Sequence, residues 1–192
     1  MLHMFSRFIV SKLNYCWLVP KEKEAVYVYG VELICSTGLS FLSMLLISIF
    51  SEKIYCFISF LAVFFVLRMF SGGYHTSTYG RCFLLTNSVY LFVLVLGSLV
   101  MGRNLTFIIP VITLFSFLII YAHSPVRNKK HPISEKILRK NRRIARILVT
   151  TISISILVLS MNRSIVDYLY YPLFSLAAVA VMIIPTLFGK ED

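Results

Sequence analysis

The chain has 192 residues, 58% of them hydrophobic and 14% charged, with a formal net charge of +11. A water-soluble domain of this length exposes too much of its surface to hide that many apolar side chains, so a soluble globular fold is excluded and an integral membrane protein is indicated. The positive charge does not point to nucleic acid, because it collects between apolar runs and comes without aromatic platforms on which bases stack.

Residues 1–29 come first. Phe5, Phe8, Ile9, Leu13 and Trp17 recur at helical spacing beside Arg7, Lys12, Lys21 and Lys23. That pattern predicts an amphipathic helix in the membrane interface, with Tyr15 and Trp17 at headgroup depth. Charges interrupt its apolar face and no small-residue cleavage site follows, so it does not read as a removed secretory signal. Cys16, in the same segment, is either a palmitoylation site or an unmodified thiol.

Six apolar runs follow, at 33–50, 54–70, 83–101, 105–122, 147–161 and 168–188. They are continuously apolar rather than alternating, which rules out a membrane barrel. The predicted fold is therefore all-α: about six transmembrane helices after an interfacial helix, in one polytopic domain covering 1–192. The runs 54–70 and 147–161 are short for a span and call for tilt, local thinning or partial burial. Glu32 opens the first run in YVYGVELICS. A carboxylate there either caps the helix or snorkels, or else it orients a neighbouring imidazole or pairs with Arg68. Cys35 and Cys56 lie within apolar runs, where a thiol behaves as a small hydrophobe.

The segment RMFSGGYHTSTYGRCFLL, from Arg68 to Leu85, carries the chemistry. It breaks at Gly72-Gly73, and Thr76, Ser77 and Thr78 are N-cap candidates for a helix that enters the next run at Phe83. Cys82 then falls in or just after the first turn. There the helix dipole, unpaired amides and Arg81 favour a thiolate. His75 and Cys82 are seven apart, too far along one helix to touch, so contact requires the chain to fold back, for which Gly72-Gly73 and Gly80 supply the freedom. A histidine beside a cysteine makes a nucleophile at neutral pH. The same spacing also suits a structural cysteine and an interface histidine. No CxxC pair and no zinc-type spacing occurs, so neither a metal nor a cofactor is called for.

Between the fourth and fifth runs lies SPVRNKKHPISEKILRKNRRIAR, and the stretch 123–146 holds nine lysines and arginines. With six spans, every lysine and arginine except Lys53, Arg103 and Arg163 falls on the side of the termini. Short cationic loops stay in the cytoplasm, which predicts cytoplasmic termini and a cytoplasmic-edge position for the 68–82 loop. The basic 123–146 loop is explained by this rule together with anionic lipids, and it also suits an acidic peptide partner.

The chain resembles the AgrB family, the membrane peptidases of Gram-positive accessory gene regulator quorum sensing. The resemblance runs nearly full length and is sharpest at Arg68, Gly73, His75 and Cys82 in RMFSGGYHTSTYGRC, whose spacing is the family's. YGVE is similar to its first-span signature, at Glu32, and SPVRNKKHPIS to its proline-then-lysines loop, with Ser124 where alanine is more usual. What the resemblance implies is a cysteine endopeptidase of the bacterial cell membrane with His75 and Cys82 catalytic. Such an enzyme cuts the acidic C-terminal tail from an AgrD-like propeptide through a Cys82 thioester, supports closure of a thiolactone or lactone, and acts as a homodimer. Arg68 and Gly73 are then supporting residues, and Glu32 a further candidate. Lys129, Lys130, Arg139 and Arg142 are candidate contacts for the acidic tail. The alternative is a small peptide transporter or membrane receptor without covalent chemistry, against which stand the absence of paired repeat halves and the concentration of charge at the inner edge.

Overall fold

The computed structural model describes residues 2–15, 24–73, 78–103, 105–126 and 134–187, and among them every regular element is helical. Helix α1 (Leu2–Tyr15) buries Ser6 and Val10, one turn apart, and packs Val10 against Val28 and Val31 of α2 (Glu24–Phe50). Phe5 and Phe8 remain exposed, as a helix lying along an interface requires. Trp17, Lys21, Lys23 and Cys16 lie outside the described residues. The amphipathic helix is thus shorter than the predicted 1–29 segment, since residues from Glu24 already belong to α2.

Helix α3 runs from Ile54 to Ser71 and contains one wide π turn, Leu61–Phe65. Helix α4 is Tyr79–Val100, α5 Ile108–His123, α6 Glu135–Leu159 and α7 Tyr170–Leu187, the last entered through a 3-10 turn at Val166–Leu169. Each predicted apolar run is therefore a helix. Among the described residues, four segments are long and apolar enough to cross a bilayer: Glu24–Phe50, Ile54–Ser71, Tyr79–Val100 and Val166–Thr186. The predicted count of six is not met by this criterion. Helix α5 has 16 residues, about 24 Å at the helical rise, against a hydrocarbon core of about 30 Å. Helix α6 has 25 residues, but six lysines and arginines crowd its first half.

The contacts show which ends lie together. Ser43 Oγ donates to Asn87 Oδ1 at 2.7 Å, and further along Ser48 Oγ bonds the Tyr90 hydroxyl, so α2 and α4 run parallel. Arg68, late in α3, meets Met182, late in α7. Val126, just past α5, donates its N–H to Ser71 O at 2.9 Å. At the opposite end Asp167 accepts from the Gly102 N–H at 3.1 Å, and the Tyr55 and Tyr168 rings sit 5.1 Å apart. The helices consequently alternate up and down, and the start of α4 shares one end of the bundle with the start of α6.

Helix α7 is the most deeply buried of the four spans. It packs Tyr170, Tyr171, Leu173, Leu176 and Ile183 into a core with Met44, Phe60, Phe64, Leu67 and Tyr90. In lipid there is no hydrophobic drive between helices, so close backbone approach and interhelical hydrogen bonds hold such a bundle together. Gly97 shows the closeness, since a β-carbon there would come within 2.5 Å of the Tyr171 ring.

Candidate active site at the start of helix α4

Helix α4 begins as its hydroxyl-rich approach predicts. Thr78 is the N-cap, extended at φ −129° and ψ 146°, and its Oγ1 accepts from the Arg81 N–H at 3.4 Å. The Cys82 N–H closes the first turn on Thr78 O at 3.0 Å. Both later amides of the turn are thus engaged, and those of Tyr79 and Gly80 have no intrahelical partner, as the first turn of any helix dictates. Cys82 is half-buried and its thiol is free. Gly80 lies inside the helix rather than in a flexible bend, contrary to the expectation from sequence.

The bend is made by the other two glycines. Gly72 has φ +69° and Gly73 φ +133°, values that L side chains rarely adopt. A side chain at Gly72 would meet Val126 O at 3.3 Å. One at Gly73 would meet Met182 O at 3.4 Å and Arg68 Nη1 at 3.5 Å. The turn is therefore pressed between the end of α5 and the end of α7.

Arg68 comes from the last two turns of α3. The π turn before it shifts the helical register by about one residue, a device that re-aims side chains near functional sites. Its Nη1 donates to Met182 Sδ at 2.9 Å and its guanidinium lies 5.6 Å from the centre of the Phe64 ring. Arg68 is also within electrostatic range of Cys82. It thus brings a positive charge, set among Met182, Phe64 and Gly73, to the start of α4.

Glu32 is buried, only 7% exposed, in the third turn of α2. It does not cap the helix, because α2 starts eight residues earlier, at Glu24. Its carboxylate lies within electrostatic range of the Tyr79 hydroxyl, a neighbour the sequence did not suggest. The Tyr79 ring in turn sits 6.4 Å from that of Tyr29. Cys56 is fully buried, which leaves Cys82 and Cys35 as the half-buried thiols among the described cysteines. Arg139 and Arg142 are exposed on the first half of α6, so that part of the predicted basic loop is helix. Leu138 and Ala145 bury the other side of it. His75, Lys129 and Lys130 lie outside the described residues.

A cysteine at a helix start, a guanidinium beside it and a double-glycine turn behind it together form the arrangement to compare with known proteins. The family described as Accessory gene regulator B matches the chain over residues 4–187. The chain belongs to the AgrB family. An AgrB-like protein of Clostridium perfringens strain SM101 is 28% identical over 162 residues, 82% of this chain and 74% of that relative. The Accessory gene regulator protein B of Staphylococcus saprophyticus is 27% identical over 185 residues, 96% of this chain and 86% of its own length. No solved structure matches the chain. Membership in the AgrB family supports a role in accessory gene regulator quorum sensing, in a protein built of membrane-spanning helices.

Proposed function

We propose that this AgrB-family chain is a membrane cysteine endopeptidase that cuts an AgrD-like propeptide, with Cys82 as nucleophile and His75 as its base. The observation that carries the reading is the position of Cys82 in the first turn of α4, within electrostatic range of Arg68. Backbone amides at a helix start and a fixed guanidinium are the groups that stabilise an oxyanion.

In this mechanism His75 takes the Cys82 proton and the sulfur attacks the scissile carbonyl. Negative charge develops on the carbonyl oxygen beside the Tyr79 and Gly80 amides and Arg68. Collapse breaks the C–N bond, and His75 returns its proton to the departing amine of the acidic tail. The rest of the propeptide stays on Cys82 as a thioester. An internal cysteine or serine of the substrate then attacks that thioester, releasing Cys82 and closing a thiolactone or lactone. The apolar flank of the site, with Phe83 and Met182 close by, keeps water from competing for the thioester.

The basic segment 123–146 gives the acidic tail its attraction, through Lys129, Lys130, Arg139 and Arg142, and α1 lies where a membrane-bound leader would pack. The active site faces the cytoplasm, as do both termini, because the cations gather at its end of the bundle. The enzyme works as a homodimer, as its family does. Co-expression with an AgrD-like propeptide tests this, with products read by mass spectrometry. Wild type releases the tail; Cys82→Ala and His75→Ala do not. Tail release by either alanine variant would refute the mechanism.

A further inference from the structure

We propose that Arg146, held by Tyr121 where α5 and α6 meet, binds the phosphate headgroup of an anionic phospholipid, with Arg143 one turn nearer the water as a second contact. The site lies at the end of the bundle that carries the start of α4. It is separate from Cys82 and stands whether or not the chain is a peptidase.

Arg146 is a cation set in place. Its Nε donates to Tyr121 O at 3.3 Å, and its guanidinium lies over the Tyr121 ring, 4.6 Å from the centre. That ring leans on Phe117, one turn earlier in α5, with centroids 5.2 Å apart. These contacts occupy one nitrogen and one face of the guanidinium. Among the described residues no acceptor bonds its two Nη groups and no carboxylate pairs with it. Glu52 and Asp167 lie at the far end of the bundle, and Glu24 and Glu32 on α2. Glu135, at the start of α6, is about 16 Å away along the helix. A planar fork with both outer nitrogens open is the shape that takes a phosphate or a carboxylate in two parallel bonds.

Depth selects a lipid over a peptide. From Ile147 to Leu159 α6 carries no charge. That stretch measures about 20 Å at the helical rise, against about 30 Å of hydrocarbon. Helix α5 beside it is also shorter than the hydrocarbon core. Even in a thinned bilayer the pair leaves Arg146 at the boundary of the acyl chains, where water is scarce. Its surroundings are apolar: Ile147 is 59% exposed, and Leu118, one turn before Tyr121, is 55% exposed. An uncompensated guanidinium is costly there, and lipid phosphates are the anions already stationed at that depth. A water-soluble acidic peptide would first have to shed its hydration to follow. Arg143 is exposed, three residues before Arg146 and on the same side of α6, and it adds a second positive charge for a headgroup of net negative charge. The site also adjoins the elements that frame the glycine turn. Val126, just past α5, donates to Ser71 O, and α6 packs against Val66–Ser71 of α3. A bound lipid thus braces the junction of α5 and α6 behind that turn.

The test is native mass spectrometry of the full-length protein released from detergent micelles, titrated with phosphatidylglycerol and, in parallel, with phosphatidylcholine. Wild type should retain phosphatidylglycerol at least about fivefold better than phosphatidylcholine. Arg146→Gln should weaken that retention about tenfold, and Arg146→Lys, which keeps the charge but not the fork, severalfold. Arg143→Gln should weaken it by less than Arg146→Gln. Arg163→Gln, an equal loss of charge at the other end, should leave it within about twofold. Equal losses in Arg146→Gln and Arg163→Gln would overturn the site, as would equal retention of the two lipids by wild type. Hexaglutamate at equimolar concentration should leave the lipid bound; displacement would assign the arginines to an acidic peptide and overturn the lipid. Should Arg146→Gln fail to fold, Arg146→Lys decides, and wild-type retention in that variant would overturn the site.

Discussion

At the scale of single residues, the site depends on two kinds of constraint: what Cys82 is and what Gly73 is not. Replacing Cys82 by alanine should lower cleavage at least about a thousandfold, whereas Cys35→Ala should leave it within about threefold. Product quantification by mass spectrometry separates the two, and inactivity of Cys35→Ala in well-folded protein would reassign the nucleophile. Gly73 sits at φ +133° with Met182 O and Arg68 Nη1 just beyond it. Gly73→Ala therefore carries about 1–3 kcal/mol of strain and should displace Arg68, giving a folded protein with cleavage reduced about tenfold or more. A wild-type rate in that variant would detach Arg68 from the chemistry. Much at this scale was legible beforehand. The run of threonines predicted the cap, which falls on Thr78, and the glycine pair predicted the turn. The depth of Glu32 was not legible, because the polar and aromatic stretch from Glu24 to Val31 resembles an interfacial segment more than the start of a span. Met182 carried no signal at all, since a methionine in an apolar run is indistinguishable from core until its neighbour Arg68 is placed against it.

Among the elements, α4 and α7 approach most tightly at Gly97, where the Tyr171 ring fills the space a side chain would take. Gly97→Val overpacks that crossing and should cost about 1–3 kcal/mol, measured by unfolding in mixed micelles. Unchanged stability would mean that α7 can slide away from α4. The polar seam between α2 and α4 is weaker per contact: Asn87→Leu removes the bond from Ser43 and should cost about 1 kcal/mol. The helical runs themselves were readable from continuous hydrophobicity. Helix α6 was the exception, because its cations at 135–146 read as loop. Leu138, Ala145 and Val149 repeat at helical spacing beneath them and extend the element back to Glu135. Charge density and helical period point in different directions there, and burial of that one stripe against its neighbours decides in favour of the helix.

For the whole molecule, the alternation of helices brings the start of α4 and the cationic half of α6 to one end. Lys53, Arg103 and Arg163 mark the other. Cysteine substitutions at Lys53, Arg103 and Arg163 should react with an impermeant maleimide on intact cells, and one at Arg139 should react only after lysis. The reverse pattern would invert the proposed topology. Neutralising Arg139 and Arg142 together should raise KM for an acidic-tailed propeptide severalfold at low salt and flatten its salt dependence, with kcat little changed. An unaltered salt response would leave those cations to topology and lipid alone.

The central claim is a covalent intermediate on one thiol, and the intact mass of the purified protein after brief mixing with the AgrD-like propeptide tests it most directly. The account predicts a mass increase equal to the propeptide minus its acidic tail, mapped to Cys82, discharged by hydroxylamine as a thioester must be, and absent in Cys82→Ala. Tail release with no adduct at any time point, or an adduct mapped to another residue, would contradict it.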